Sequence, residues 1–248
     1  MMEPHKASTI GIEYSVRDDR QDRQKSSPVA VQNPIPFWKR VLDISCVVLV
    51  LPVAVPLGLL IAIFIKFASP GPAFFRQQRV GHRGKSFMCL KFRTMKVNAD
   101  TTVHQEHLKQ VMASNAPTRK LECSGDKRLI FGGLFLRSIG VDELPQLINV
   151  LRGEMSLVGP RPCTPYEFDW YQPRHKRRCE TPPGLTGLWQ VSGKNKTTFE
   201  QQIDLDLFYV DHKSLWLDLK IMALTIPAIL VLVWEMKTGR AKSEPKRE

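Results

Sequence analysis

VLDISCVVLVLPVAVPLGLLIAIFIKF, from Val41 to Phe67, is an apolar run of 27 residues interrupted only by Asp43, Ser45 and Lys66. As a helix it is long enough to cross a hydrocarbon layer of roughly 30 Å. Two features argue against a simple span. Pro52 and Pro56 fall mid-run, where each removes a helix hydrogen bond and favours a kink. Basic residues also flank both ends: Lys39 and Arg40 before it, and Lys66, Arg76, Arg79, Arg83 and Lys85 around and after its end. Orientation by positive charge places the excess on one face of the membrane. Charge at both ends predicts a helix that enters, breaks at the prolines and returns to the same face. An ordinary kinked span is the alternative.

Upstream, Met1 to Pro34 has no long apolar stretch and mixes both signs of charge (Arg17, Asp18, Asp19, Arg20, Asp22, Arg23, Lys25). Residues 1–35 are therefore expected to be a disordered polar leader rather than a signal peptide. Order is expected from Pro36-Phe37-Trp38. Downstream, Ser69-Pro70-Gly71-Pro72 stops the helix. Ala73 to Arg76 and Lys85 to Arg93 are expected as strands joined at Gly81 to Gly84. Asn98 to Gly125 is polar and predicted to be a short helix plus a mobile loop. Asp142 to Leu151 is predicted helical, with Pro145 in its first turn and Gly153 as a stop. A strand is expected over Met155 to Val158. Tyr166 to Arg178 is predicted helical with a bend at Pro173. Thr181 to Gly184 is expected as a tight turn before a strand at Leu188 to Val191, and Thr198 to Lys213 as a helix.

A second apolar run, Trp216 to Trp234, carries a tryptophan at each end and Pro227 inside. It suits a spanning helix or one lying in the interface. The basic tail after it suits an anionic membrane surface. These pieces divide the chain into a leader (1–35), a domain over 36–240 and a tail (241–248). The domain comprises a membrane helix (37–68), a catalytic part (69–215) and a membrane-associated helix (216–235).

The formal net charge of +12 in 248 residues points to a polyanionic partner: nucleic acid, acidic lipid or a phosphate-rich substrate. Five scattered cysteines without C-x-x-C spacing argue against a disulfide framework and against zinc. A groove-reading nucleic-acid protein would leave both apolar runs unexplained, so no nucleic acid is expected as partner.

The densest chemical signal is Arg137-Ser-Ile-Gly-Val-Asp142-Glu143-Leu-Pro-Gln146. Adjacent carboxylates before a helix often only complement its dipole. Here Gly140 precedes them, and basic groups stand in short motifs at Lys91, Arg93, Arg137 and Arg161. Arginine forks clamp phosphate oxygens. Magnesium takes one or two carboxylates and completes its shell with water and phosphate. An aspartate can itself attack phosphorus, leaving its neighbour for the metal. Arg174-His175-Lys176-Arg177-Arg178 is expected to be a solvated or membrane-facing basic face.

The ordered set of short motifs resembles the bacterial sugar transferases, the small monotopic phosphoglycosyl transferases. The matching stretches are Lys39-Arg40 with Asp43, Ser69 to Pro72 through Gly81, Lys91 to Met95, Leu136 to Gln146, Asn149 to Ser156, Val158 to Pro162, Pro183 to Gly193, and Asp218 to Ile221. The resemblance implies an α/β, helix-rich monotopic membrane protein with a re-entrant N-terminal helix broken at Pro56. It also implies a small cytoplasmic catalytic domain and interfacial helices. It implies Asp142 as nucleophile on a UDP-sugar, Glu143 as ligand of Mg2+, and Lys91, Arg93, Arg137 and Arg161 as phosphate or substrate contacts. The product would be a sugar-1-phosphate on undecaprenyl phosphate, made by a ping-pong cycle with release of UMP. That is the first membrane step of exopolysaccharide, capsule or O-antigen synthesis. Membrane lipids are the further partner, a homodimer is allowed, and the location is the bacterial inner membrane with the site facing the cytoplasm. Two positions depart from the family pattern. Val55 precedes Pro56 where serine is frequent, and Pro182 stands where a basic residue is common. The transmembrane bundle of longer relatives is not expected here. A non-catalytic scaffold with the same fold is the rival reading, and the intact Asp142-Glu143 pair argues against it.

Overall fold

The computed structural model describes residues 6–9, 12–15, 34–97, 106, 126, 128–192 and 197–238. Most of the polar stretch from Asn98 to Gly125 lies outside them, as does Gly193. In the leader, β1 (Lys6–Thr9) and β2 (Ile12–Ser15) pair antiparallel, where composition predicted no structure. The β-branched Thr9 and Ile12 favour the extended backbone that composition averages conceal.

The apolar run forms α1 (Phe37–Ala68), one helix of 32 residues that continues through Pro52 and Pro56. The break expected at Pro56 is not a gap in the helix. Each proline forfeits one N–H bond, a local loss that the remaining turns tolerate. Lys39, Asp43, Val47, Ala54, Ile61 and Ile65 are its buried side chains. Their spacing of four or seven residues makes a single stripe. The remaining surface of α1 carries Val48, Leu49, Val53, Leu60 and Ile63 exposed.

A hairpin follows, with β3 (Phe74–Val80) antiparallel to β4 (Ser86–Phe92). It is longer in its first strand than the sequence indicated. The connecting 3-10 turn, His82–Gly84, holds Arg83 at φ 58°. Next come α2 (Gly133–Ser138), a 3-10 turn at Val141–Glu143, and α3 (Gln146–Arg152), which ends at Gly153. The helix expected from Asp142 thus starts later, because Pro145 sits as its cap.

β5 (Ser156–Val158) leads to α4 (Pro165–Trp170), α5 (Pro173–Lys176) and a 3-10 turn at Arg177–Glu180. Pro173 starts a new helix instead of bending one, since its fixed φ suits a first turn. β6 (Gly184–Thr186) pairs parallel with β5. Leu188–Val191, expected as a strand, is a short helix, α6. The strand lies instead on the glycine-bearing residues before it. A methyl group on Gly184 would collide with the Gly159 backbone, and one on Gly187 with the Gly159 carbonyl. Only bare backbone lets these segments approach so closely.

α7 (Phe199–His212) opens with a capping box between Thr198 and Gln201, and α8 (Leu215–Thr238) follows. One core cluster joins β5, α6, α7 and α8 through Val158, Leu188, Leu205, Tyr209 and Ile221. Two others join α1 to the hairpin and to α2 and α3. Among the described residues, α1 is the one helix long and apolar enough to cross a membrane.

Candidate active site

Gly140, at φ 75°, turns the chain from α2 into the Val141–Glu143 turn. That left-handed conformation is cheap for glycine and strained for other residues. The turn closes with the Glu143 N–H donating to the Gly140 carbonyl at 3.1 Å. Asp142 is buried, 6% exposed, whereas the Glu143 side chain is 37% exposed. Adjacent carboxylates are thereby given opposite surroundings.

Lys91 on β4 donates to Glu143 Oε1 at 2.8 Å. The strand is held at that distance by Asn149 of α3. Its Oδ1 accepts from the Leu90 N–H at 3.1 Å, and its Nδ2 donates to the Met88 carbonyl at 2.8 Å and to Glu154 at 2.6 Å. One amide side chain therefore continues the ladder of β4 and ties it to the helix that follows the acidic pair.

Directly opposed residues of an antiparallel pair share a face. Gln77 opposes Cys89 and Phe75 opposes Lys91, and by alternation Arg79 lies on that same face. Burial pushes the Cys89 thiol up, while Lys91 and Arg79 pull it down, and Glu143 and Arg161 also act on it. Arg161 is exposed at the turn between Pro160 and Pro162. Arg137 occupies the last turn of α2, five residues before Asp142.

Arg93, expected as a phosphate contact, also has a structural task. It is buried, and its guanidinium donates to the carbonyls of Ser69 and Pro70, each at 2.8 Å. It holds the exit of α1 against the hairpin. Pro56, inside α1, is likewise structural. Among the described residues no three His, Cys, Asp or Glu side chains gather into a cluster. The adjacent carboxylates of Asp142 and Glu143 match in number the one or two that magnesium takes when phosphate and water complete its shell.

The sequence profile of the bacterial sugar transferases matches residues 35–232. The chain belongs to the bacterial sugar transferase family. It is 42% identical over 194 residues to the exopolysaccharide production protein ExoY of Sinorhizobium fredii, covering 77% of this chain and 84% of that protein. It is 42% identical over 200 residues to the UDP-glucose:undecaprenyl-phosphate glucose-1-phosphate transferase of Caulobacter vibrioides, covering 77% and 69%. It is 40% identical over 200 residues to the undecaprenyl-phosphate galactose phosphotransferase of Salmonella typhimurium, covering 78% of this chain and 40% of that longer protein.

In this transferase, charged residues that the sequence presented only as membrane flanks or motif members tie α1 to the rest of the chain. Lys39 is fully buried and donates to the Val158 carbonyl at 2.9 Å, Tyr209 at 2.8 Å and Asp218 at 2.6 Å. Arg40 donates to the carbonyls of Val150 and Leu151 at the end of α3. Asp43 accepts from Ser156 Oγ and the Leu157 N–H, both at 2.9 Å. Their order in the matching motifs was the only signal available. The basic run is also reassigned. Arg174 pairs with Glu200 and Asp204, Arg177 with Asp211, and Arg178 with Asp206. It packs on the acidic side of α7.

Proposed function

We propose that the chain transfers a sugar-1-phosphate from a UDP-sugar to undecaprenyl phosphate, through a covalent intermediate on Asp142. The observation that carries this reading is the contrast within the acidic pair. Asp142 is buried beside a half-exposed Glu143, and Lys91 lies 2.8 Å from the latter. A carboxylate shielded from water is a better nucleophile than a solvated one. Glu143 is half-exposed, so a cation or a substrate phosphate would meet it beside the Lys91 ammonium.

In the first step an Asp142 oxygen forms a bond to the sugar-bearing phosphorus as the P–O bond to UMP breaks. In the second, a phosphate oxygen of the lipid attacks the same phosphorus and frees the aspartate. Lys91, Arg137 and Arg161 neutralise the diphosphate and the charge that develops in transfer. Glu143 would hold Mg2+, which when bound polarises the phosphate oxygens. Arg93 ties the exit of α1 to the hairpin through its Nη atoms, and its buried Nε has no protein partner.

The same reading seats α1 in the lipid of the bacterial inner membrane without crossing it, with the catalytic part facing the cytoplasm. The buried stripe supports this, because it runs from Lys39 to Ile65 against one body. The name of the Sinorhizobium fredii relative supports a role in exopolysaccharide synthesis.

The test is UMP release by detergent-solubilised protein with Mg2+ and undecaprenyl phosphate, across a panel of UDP-sugars. Release with one donor is expected, falling on the order of 10³-fold or more in Asp142→Asn. Equal rates in wild type and variant would rule out Asp142 as nucleophile.

A further inference from the structure

Arg161 is exposed, yet the backbone that carries it is held at every carbonyl. The Pro160 carbonyl accepts from the Gly184 N–H at 2.9 Å, and the Cys163 carbonyl from the Val80 N–H at 2.8 Å. Between them, the Arg161 carbonyl accepts from Arg178 Nη2 at 3.2 Å and the Pro162 carbonyl from Arg79 Nη1 at 3.0 Å. Flanking prolines fix two further backbone angles.

Both guanidinium donors are buried. Arg79 also donates to Gln77 Oε1 through Nη2 at 2.7 Å and lies 3.8 Å from Glu167. Arg178 donates to Tyr171 at 2.6 Å and pairs with Asp206. Burial alone would raise the Glu167 carboxyl, but Arg79, Arg161 and two hydrogen bonds to Thr164 together outweigh it and hold it below its ordinary value. Burying two cations with their counter-ions is expensive. A surface turn needs no such support, since backbone N–H groups or water would satisfy its carbonyls.

We infer that Arg79 and Arg178 are positioning residues that fix the turn of Arg161, so that its side chain meets the donor diphosphate pre-oriented. This rests on the reading of Arg161 as a diphosphate contact. Neither buried arginine touches the substrate. A rigid turn spares the entropy of ordering Arg161 on binding.

The test is a double-mutant cycle read by calorimetric binding of UDP, the moiety common to all candidate donors, with Mg2+ present. The single variants are Arg161→Ala, Arg79→Lys and Gln77→Ala. The last frees one side of Arg79 from a half-buried position and keeps the test open should Arg79→Lys fold poorly. Arg79→Lys is expected to weaken UDP binding on the order of tenfold. In an Arg161→Ala background the same change should have almost no effect, because the group it orients is gone. Equal losses in both backgrounds would mean a general structural role and overturn the inference. Unchanged UDP binding in Arg161→Ala would overturn it too, by removing the contact it rests on. Failure of the transferase reading looks different: UDP binds and the cycle is coupled, but UMP is never released.

Discussion

Asp142 and Glu143 show how one residue step separates two surroundings. The turn after Gly140 buries the first side chain and leaves the second half-open beneath Lys91. Local surroundings likewise govern how single histidines answer acid. Burial lowers the pKa of His175, with Arg174 and Arg178 adding to it and Glu200 opposing it. Burial and Arg83 lower that of His82. The unfolded chain then takes up these protons more readily than the fold does. Their contribution is intact above the ordinary histidine pKa of about 6.5 and is lost as pH falls through the lower folded values. The thermal midpoint is expected to drop between pH 7.5 and pH 5.5. In a His82→Asn/His175→Asn double variant the drop should shrink, and a drop of wild-type size there would assign it to other groups.

At the level of elements, the first two turns of α1 grip the catalytic part through charges that the sequence presents as membrane flanks. Lys39 and Asp218 are 0% and 1% exposed, and Asp218 Oδ1 also accepts from Tyr209 at 2.7 Å. Removing one partner of such a pair strands the other. Asp218→Asn is expected to destabilise the protein by about 3–5 kcal/mol. The Lys39→Met/Asp218→Leu double variant should recover most of that loss, because apolar replacement of both partners is often neutral. Thermal unfolding in detergent measures both, and a double variant weaker than Asp218→Asn would contradict the pairing. Period and turn chemistry made the hairpin, α3, α7 and both apolar runs legible. Leu188–Val191 misled because four residues are too few to show a period that tells strand from helix. The fate of Lys39, Arg40, Arg174, Arg177 and Arg178 was not legible, since the α7 carboxylates that pair with the three arginines of the basic run lie 26 to 34 residues away and the partners of Lys39 and Arg40 110 to 179.

Across the whole molecule, the charges first used to argue that both ends of α1 share a face no longer carry that argument. Lys39, Arg40 and Arg79 hydrogen-bond within the protein, so they are not headgroup anchors. The proposed re-entrant seat rests on the packing instead. Near its start, α1 is tied through Lys39 to β5, α7 and α8; near its end, Ile61 and Ile65 pack on Ala73, Phe92, Ile130 and Leu136. A helix of 32 residues is about 48 Å long, well beyond the roughly 30 Å of hydrocarbon. If it crossed the bilayer, the body packed along its full length would have to cross as well. That body includes the polar hairpin and the Asp142 turn, whose charged groups do not belong in lipid. Single cysteines at Phe37 and Lys85, in a variant whose native cysteines are replaced, are therefore expected to react with an impermeant maleimide from the same side of sealed vesicles. Reaction of the two positions from opposite sides would require α1 to leave its seat on the body, and would restore the kinked span.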